Sequence, residues 1–193
     1  MEIGNRKEQR LVERLRNGEN GAMQEFYALY ARYLTAVCAR YVADDESVKD
    51  VLQDALITIF TRIADFNYCG EGSLRAWAAR ITANKSVDFL KAAKRHELMA
   101  PDCDVIDETG EMEETDEIPI SDIPPEEIHR MVSDLPTGYR TVFNLYVFES
   151  KSHREIAQLL GIRETTSATQ LFKARKLLAR KLEEYGNVQQ TQG

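Results

Sequence analysis

Apolar residues recur every three or four positions along most of the chain, and the period fails at segments rich in Gly, Pro or acids. Phe26, Leu29, Tyr30, Tyr33, Leu34, Val37 and Tyr41 form one such stripe, which predicts an amphipathic helix with these side chains on its buried face. Val48, Val51, Leu52, Ala55, Ile59, Phe60 and Ile63 form a second, with Ser47 as the expected N-cap and acids in the first turns. A break at Asn67-Tyr68-Cys69-Gly70-Glu71-Gly72 precedes a third helix, whose core side is expected to hold Leu74, Trp77, Ala78 and Ile81, with Val87 and Leu90 further on. Met1 to Arg16 is polar and charged, with no apolar signal core. Three helices are therefore expected before residue 98.

Residues 98–127 carry twelve acids, no Lys or Arg, and Pro at 101, 119, 124 and 125. With few large apolar residues, such a segment buries too little surface to offset its ordering entropy, so it reads as a flexible acidic linker. Pro124-Pro125-Glu126-Glu127 then signals a helix start, followed at helical spacing by Ile128, Met131, Val132 and Leu135. A second helix after Pro136-Thr137 uses Val142, Phe143 and Tyr146. Ser152-His153-Arg154-Glu155 has the spacing of a capping box before the apolar Ile156, Ala157 and Leu160. Gly161-Ile162-Arg163 is a turn, and a longer helix is expected from Glu164 to Leu182, with Leu171, Ala174 and Leu178 inward and Thr165, Thr169, Lys173 and Lys176 outward. Short helix, glycine turn and long basic helix make a helix-turn-helix. The expected fold class is all-α: two small helical domains, 1–97 and 128–185, joined by the acidic flexible linker 98–127 and followed by a polar tail, 186–193.

Charge sharpens this picture. The chain of 193 residues has a formal net charge of −7, yet outside the acidic strip 25 basic residues face 20 acidic ones. Residues 75–95 hold Arg75, Arg80, Lys85, Lys91, Lys94 and Arg95 against Asp88 alone, and residues 151–182 hold eight basic residues against Glu155 and Glu164. Two basic faces suggest two contacts with a polyanion. Arg80, Asn84, Lys91 and Arg95 fall within one angular sector of the third helix, expected opposite the Trp77 side, where the cations can track phosphates and Asn84 can reach a base edge. Phe66 and Tyr68 flank the preceding glycine loop and offer rings for stacking on an unstacked base.

Other chemistry is thin. Cys38, Cys69 and Cys103 are far apart and read as free, mostly structural thiols. Asp44, Asp45, Glu46, Asp50 and Asp54 cluster at the start of the second helix, but dipole complementarity explains them better than a metal does. His96, His129 and His153 pair with no cysteine, and no phosphate loop or nucleophile-base pattern is present. The expectation is no enzyme, no cofactor and no metal. No run of 18 apolar residues exists, which points to a cytoplasmic product.

These motifs together resemble those of the extracytoplasmic-function RNA polymerase sigma factors. Asp50-Val51-Leu52-Gln53-Asp54-Ala55 is similar to the family's clamp-binding helix in region two. Gly72-Ser73-Leu74-Arg75-Ala76-Trp77, with Arg80-Ile81 and Asn84, resembles the segment that binds the −10 element, and Ser152 to Gly161 with Lys173-Ala174-Arg175 to Leu178 resembles region four. The resemblance covers 22–97 and 128–185, or 134 of 193 residues. It implies core-polymerase binding through Asp50, Gln53 and Asp54. It implies −10 contacts by Phe66, Arg75, Trp77, Arg80, Asn84, Lys85, Lys91 and Arg95. It implies −35 contacts by Arg163, Thr165, Thr166, Thr169, Lys173 and Lys176. Promoter DNA, core RNA polymerase and a membrane-anchored anti-sigma protein are the implied partners, with no direct membrane insertion. Where the family commonly has Ser, Glu, Gly, Thr, Val, Lys, Ser, Arg, this chain runs Arg163 to Gln170 with basic residues absent at 168 and 170 and one gained at 163. The linker reads either as a tether or as an acidic mimic of nascent RNA in the polymerase. Two other classes stay open at this point: a helix-turn-helix regulator that binds its operator alone, and a carboxylate-metal nuclease dependent on Asp50.

Overall fold

The structure, a computed structural model, describes residues 2–98 and 123–191. Among the described residues it is all-α, with no strand: α1 (Glu2–Arg16), α2 (Asn20–Ala39), α3 (Asp45–Thr61), a 3-10 turn (Ile63–Asp65), α4 (Ser73–Leu98), α5 (Pro125–Ser133), α6 (Thr137–Val147), α7 (His153–Leu160) and α8 (Glu164–Thr191). The chain divides into two compact units, Met1–Ala92 and Ala93–Gly193. The acidic strip from 99 to 122, and with it Cys103, lies outside the described residues.

The first unit has four helices where three were expected. α1 was missed because its first turns are polar, yet its Leu11, Val12 and Leu15 are buried. They join Phe26, Leu34 and Val37 of α2, Val48, Val51, Ala55 and Ile59 of α3, and Leu74, Ala78, Ala83, Val87 and Leu90 of α4 in the core. Phe26 meets Phe60 edge-on, with centroids 5.4 Å apart. Leu29, assigned to the buried stripe of α2, is instead 60% exposed. The cap of α3 also differs: Asp44, not Ser47, is the N-cap, and its carboxylate accepts from the Glu46 and Ser47 N–H groups. An aspartate one turn earlier meets two orphan donors and the positive helix end together, which a serine hydroxyl cannot match.

In the second unit, Val142 and Leu145 of α6, Ile156, Ala157 and Leu160 of α7, and Leu171 and Ala174 of α8 are buried together with Met131, Val132 and Leu135. The α7 start is a complete capping box between Ser152 and Glu155. α7 ends at Gly161 with φ 70° and ψ 34°, the left-handed region where a Cβ is strained. α8 runs on to Thr191 rather than stopping near Leu182, so part of the expected polar tail is helical. Glu183, Glu184 and Tyr185 do not break the helix, and Arg180 pairs with Glu184 one turn on.

Candidate nucleic-acid interface

On α4 the core side is built from small and aliphatic residues. Ala78, Ala79, Thr82, Ala83, Ser86, Val87 and Leu90 are buried, and the Thr82 and Ser86 hydroxyls donate to the carbonyls one turn earlier, each at 2.9 Å. The remaining face is free for polar work. Arg80 is exposed, Asn84, Lys85 and Lys91 are half-buried, and Lys91 lies 4.0 Å from Asp88. Trp77 departs from expectation. It is half-buried rather than core, and seven residues from Asn84 it shares that residue's face instead of opposing it. Arg95 lies on α4, and its side chain is outside the described residues.

The loop before α4 corrects a second expectation. Phe66 is 4% exposed, and its ring packs 5.1 Å from that of Trp77. Of the pair, Trp77 is the more accessible aromatic. Arg75 is exposed and sits over the Tyr33 ring of α2, 4.9 Å from its centroid. The Phe66 carbonyl accepts from Arg16 of α1. Ser73 Oγ accepts from the Cys69 N–H at 3.3 Å and donates to the Gly70 carbonyl at 2.6 Å. Glu8 of α1 accepts from the Gly72 and Leu74 N–H groups at 2.6 and 2.7 Å. No sequence signal had pointed to Glu8 or Arg16, because both sit in a helix whose existence was not read.

Asp50, Gln53 and Asp54 are all exposed on α3. Ile57, 54% exposed, follows one turn later on the same face and adds an apolar side chain that the sequence reading had not singled out.

In the second unit, Arg163, Thr165 and Thr169 are exposed, while Thr166, Lys173 and Lys176 are half-buried rather than fully outward. Thr169 donates its hydroxyl to the Thr165 carbonyl at 2.9 Å, which leaves its oxygen able to accept. Gln170 is buried, 3% exposed, so the basic residue absent there removes nothing from the outer face. At 168 the exposed face does lose a cation. Phe172, 41% exposed, lies one helix turn past Ala168 and Thr169 and had not been singled out. The two helices of the motif are tied by His153 Nδ1 and Ser167 Oγ, 3.0 Å apart, with His153 stacked on Tyr146 at 5.0 Å.

Comparison with known proteins decides what these surfaces belong to. Residues 26–96 match Sigma-70 region 2 and residues 125–178 match Sigma-70, region 4, together about two thirds of the chain. The chain is 28% identical to the RNA polymerase sigma-H factor of Pseudomonas aeruginosa, over 92% of this chain and 94% of that protein. It is 26% identical to the ECF RNA polymerase sigma-E factor of Haemophilus influenzae, over 91% of this chain and 95% of that one. The chain belongs to the extracytoplasmic-function sigma factors. Among solved structures, CnrH in complex with the cytosolic domain of CnrY is similar at 22% identity, covering 90% of this chain and 96% of that one, with a TM-score of 0.46. A sigma factor is a transcription initiation factor that works with RNA polymerase at promoters and is not itself a catalyst, which removes the nuclease and the stand-alone regulator from consideration. The α3 face and the α4 face both lie in the matched region 2, and the helix-turn-helix lies in the matched region 4. No helix among the described residues is long and apolar enough to cross a membrane.

Proposed function

We propose that the first unit docks on core RNA polymerase and captures an unstacked −10 base, while the second reads the −35 duplex, so that the chain opens promoter DNA for a particular regulon in the cytoplasm. One observation carries this reading. Each matched region packs its apolar side chains inward and leaves a polar face on one helix: Arg80, Asn84 and Lys91 on α4, and Arg163, Thr165 and Thr169 on α8. Docking uses Asp50, Gln53 and Asp54, with Ile57 supplying apolar area beside them. Arg75, Trp77, Lys85 and Arg95 complete the −10 set, Phe66 acting from beneath as support for Trp77. Thr166, Lys173 and Lys176 complete the −35 set. Domain limits of 1–97 and 128–185 are part of the proposal.

The test is run-off transcription from genomic DNA with purified core polymerase. Promoter-specific transcripts that need both components support the reading, and transcripts from core polymerase unchanged by the chain would refute it. Asn84→Ala should then slow strand opening, detected by permanganate, more than it weakens the closed complex. The family resemblance also supports an anti-sigma protein anchored in the membrane as a partner, for which exposed Leu29 and Ile57 offer apolar surface. A pull-down from native cells that recovers polymerase but never an inhibitor, resting or induced, would point to control by expression level.

A further inference from the structure

We propose that Glu8 of α1 is a positioning residue for promoter opening, holding the loop from Phe66 to Leu74 in the shape that receives the extruded −10 base. This rests on the −10 reading above and extends it to a residue outside the matched family regions, which begin at 26.

Glu8 is only 9% exposed, although it lies on a charged helix. A carboxylate removed from water is costly unless its lone pairs are met. Here they are met by backbone: Oε2 accepts from the Gly72 N–H at 2.6 Å and Oε1 from the Leu74 N–H at 2.7 Å. The Leu74 N–H is one of the first donors of α4, which have no partner within the helix, and the carboxylate also meets the positive end of the helix dipole. Glu8 therefore caps α4 from a different helix. Burial, and after it the charge of Glu8, raises the Tyr30 phenol above its ordinary value, so that charge is felt within the same junction.

The loop needs such a brace. Gly70 and Gly72 have φ of 118° and 85°, and a Cβ built on either meets nothing within 4 Å. Backbone conformation alone demands glycine there, and glycine leaves the loop with the most conformational freedom to lose. Arg16 of α1 donates to the Phe66 carbonyl at the other end of the loop. Leu11, Val12 and Leu15, all buried, seat α1 on the core between these two contacts. The loop is thus held at both ends by one rigid element. What it fixes is Phe66 against Trp77, and Trp77 shares the α4 face of Asn84. Freeing the loop would unseat this aromatic floor and fray the first turn of α4, without touching the α3 face proposed for polymerase.

Glu8→Ala and the isosteric Glu8→Gln are tested as full chains with core polymerase, on a promoter recovered by run-off transcription. Each is assayed on duplex DNA and on the same DNA with the −10 segment already unpaired. Loss of a cap of this kind corresponds to about a tenfold effect. Glu8→Ala should therefore open duplex about tenfold more slowly while keeping core affinity within about twofold. Glu8→Gln, which keeps one acceptor oxygen, should fall between Glu8→Ala and the parent. The unpaired template should restore transcription by both variants. A purely structural defect lowers the active fraction instead, and so depresses core binding and both templates alike. That result overturns the proposal, as does unchanged opening with Glu8→Ala. If Glu8→Ala fails to fold, Glu8→Gln decides by the same comparison. Asn84→Ala, run in parallel, separates the two levels. Slow opening by Asn84→Ala beside normal opening by Glu8→Ala defeats only the present inference. Normal opening by both defeats the −10 reading as well.

Discussion

Cys38 is fully buried on α2, and Cys69 is exposed in the loop before α4. Both are free, as the sequence suggested, and of the two only Cys38 is placed as a structural thiol would be. Burial pushes the Cys38 thiol up to about 11, the Ser86 hydrogen bond opposing only part of the shift. The thiolate is the reactive species. In a Cys103→Ser background at pH 8, iodoacetamide should label Cys69 and spare Cys38 until the chain is unfolded, as mass spectrometry of the two peptides will show. The stability sign follows from the same shift. A folded value raised above the unfolded one, about 8.5, makes the Cys38 contribution complete below that pH. It is lost as pH rises through about 11. Alkaline destabilisation should therefore be smaller in Cys38→Ala. Phe66 makes a second prediction at this scale. Because its ring is buried against Trp77, Phe66→Ala should cost about 3 kcal/mol of folding stability. A ring reserved for DNA would cost little. Urea denaturation followed by Trp77 fluorescence distinguishes the two.

Among the elements, α7 and the turn into α8 are the best determined by local chemistry. Ser152→Ala should destabilise the chain by about 1 kcal/mol. Glu155→Ala should add less than its own single effect, because the two caps act reciprocally. Gly161→Ala forces a Cβ into the left-handed region and should cost about 1 kcal/mol. Circular dichroism under denaturant measures all three, and full additivity of Ser152 and Glu155 would contradict the capping box. This motif was legible in the sequence because its signals are short-range: a cap, a glycine and apolar spacing within ten residues. α1 was not, since Leu11, Val12 and Leu15 fall close together among charges, and their burial depends on α2 and the loop before α4. The same reason hid Glu8, whose partners lie 64 and 66 positions away. Leu29 was misplaced because helical spacing places a residue on a face without saying whether a neighbour covers it, whereas the place of Trp77 was legible, since at 100° per residue it falls within about 20° of Asn84 and cannot oppose it. The burial of Phe66 was not legible because an aromatic near glycines suits a binding loop and a core floor equally well.

At the scale of the whole molecule, charge is divided between basic surfaces and one acidic strip, and each half makes a separable prediction. Removing Lys173 or Lys176 should flatten the dependence of −35 duplex affinity on salt by about one unit of logarithmic slope. Thr169→Ala should change base preference and leave that slope alone. The strip from 98 to 127, most of it outside the described residues, holds twelve acids and no base. A tether needs only reach, and reach is set by length and stiffness rather than by sign of charge. An acidic mimic of nascent RNA needs the charges themselves, since its contacts with a basic channel are screened by salt and end when RNA takes their place. Replacing the acids at 102, 104, 107, 108, 111, 113, 114, 116 and 117 by Ser or Asn, at fixed length, separates the two. On the mimic reading, core affinity at low salt falls, its salt dependence weakens, and the ratio of abortive to full-length RNA drops because escape no longer has to displace the strip. On the tether reading neither quantity moves, and the excess of acids serves solubility alone. The two measurements must move together to support mimicry. A fall in core affinity with an unchanged abortive ratio would place the acids on the polymerase surface and outside the RNA path.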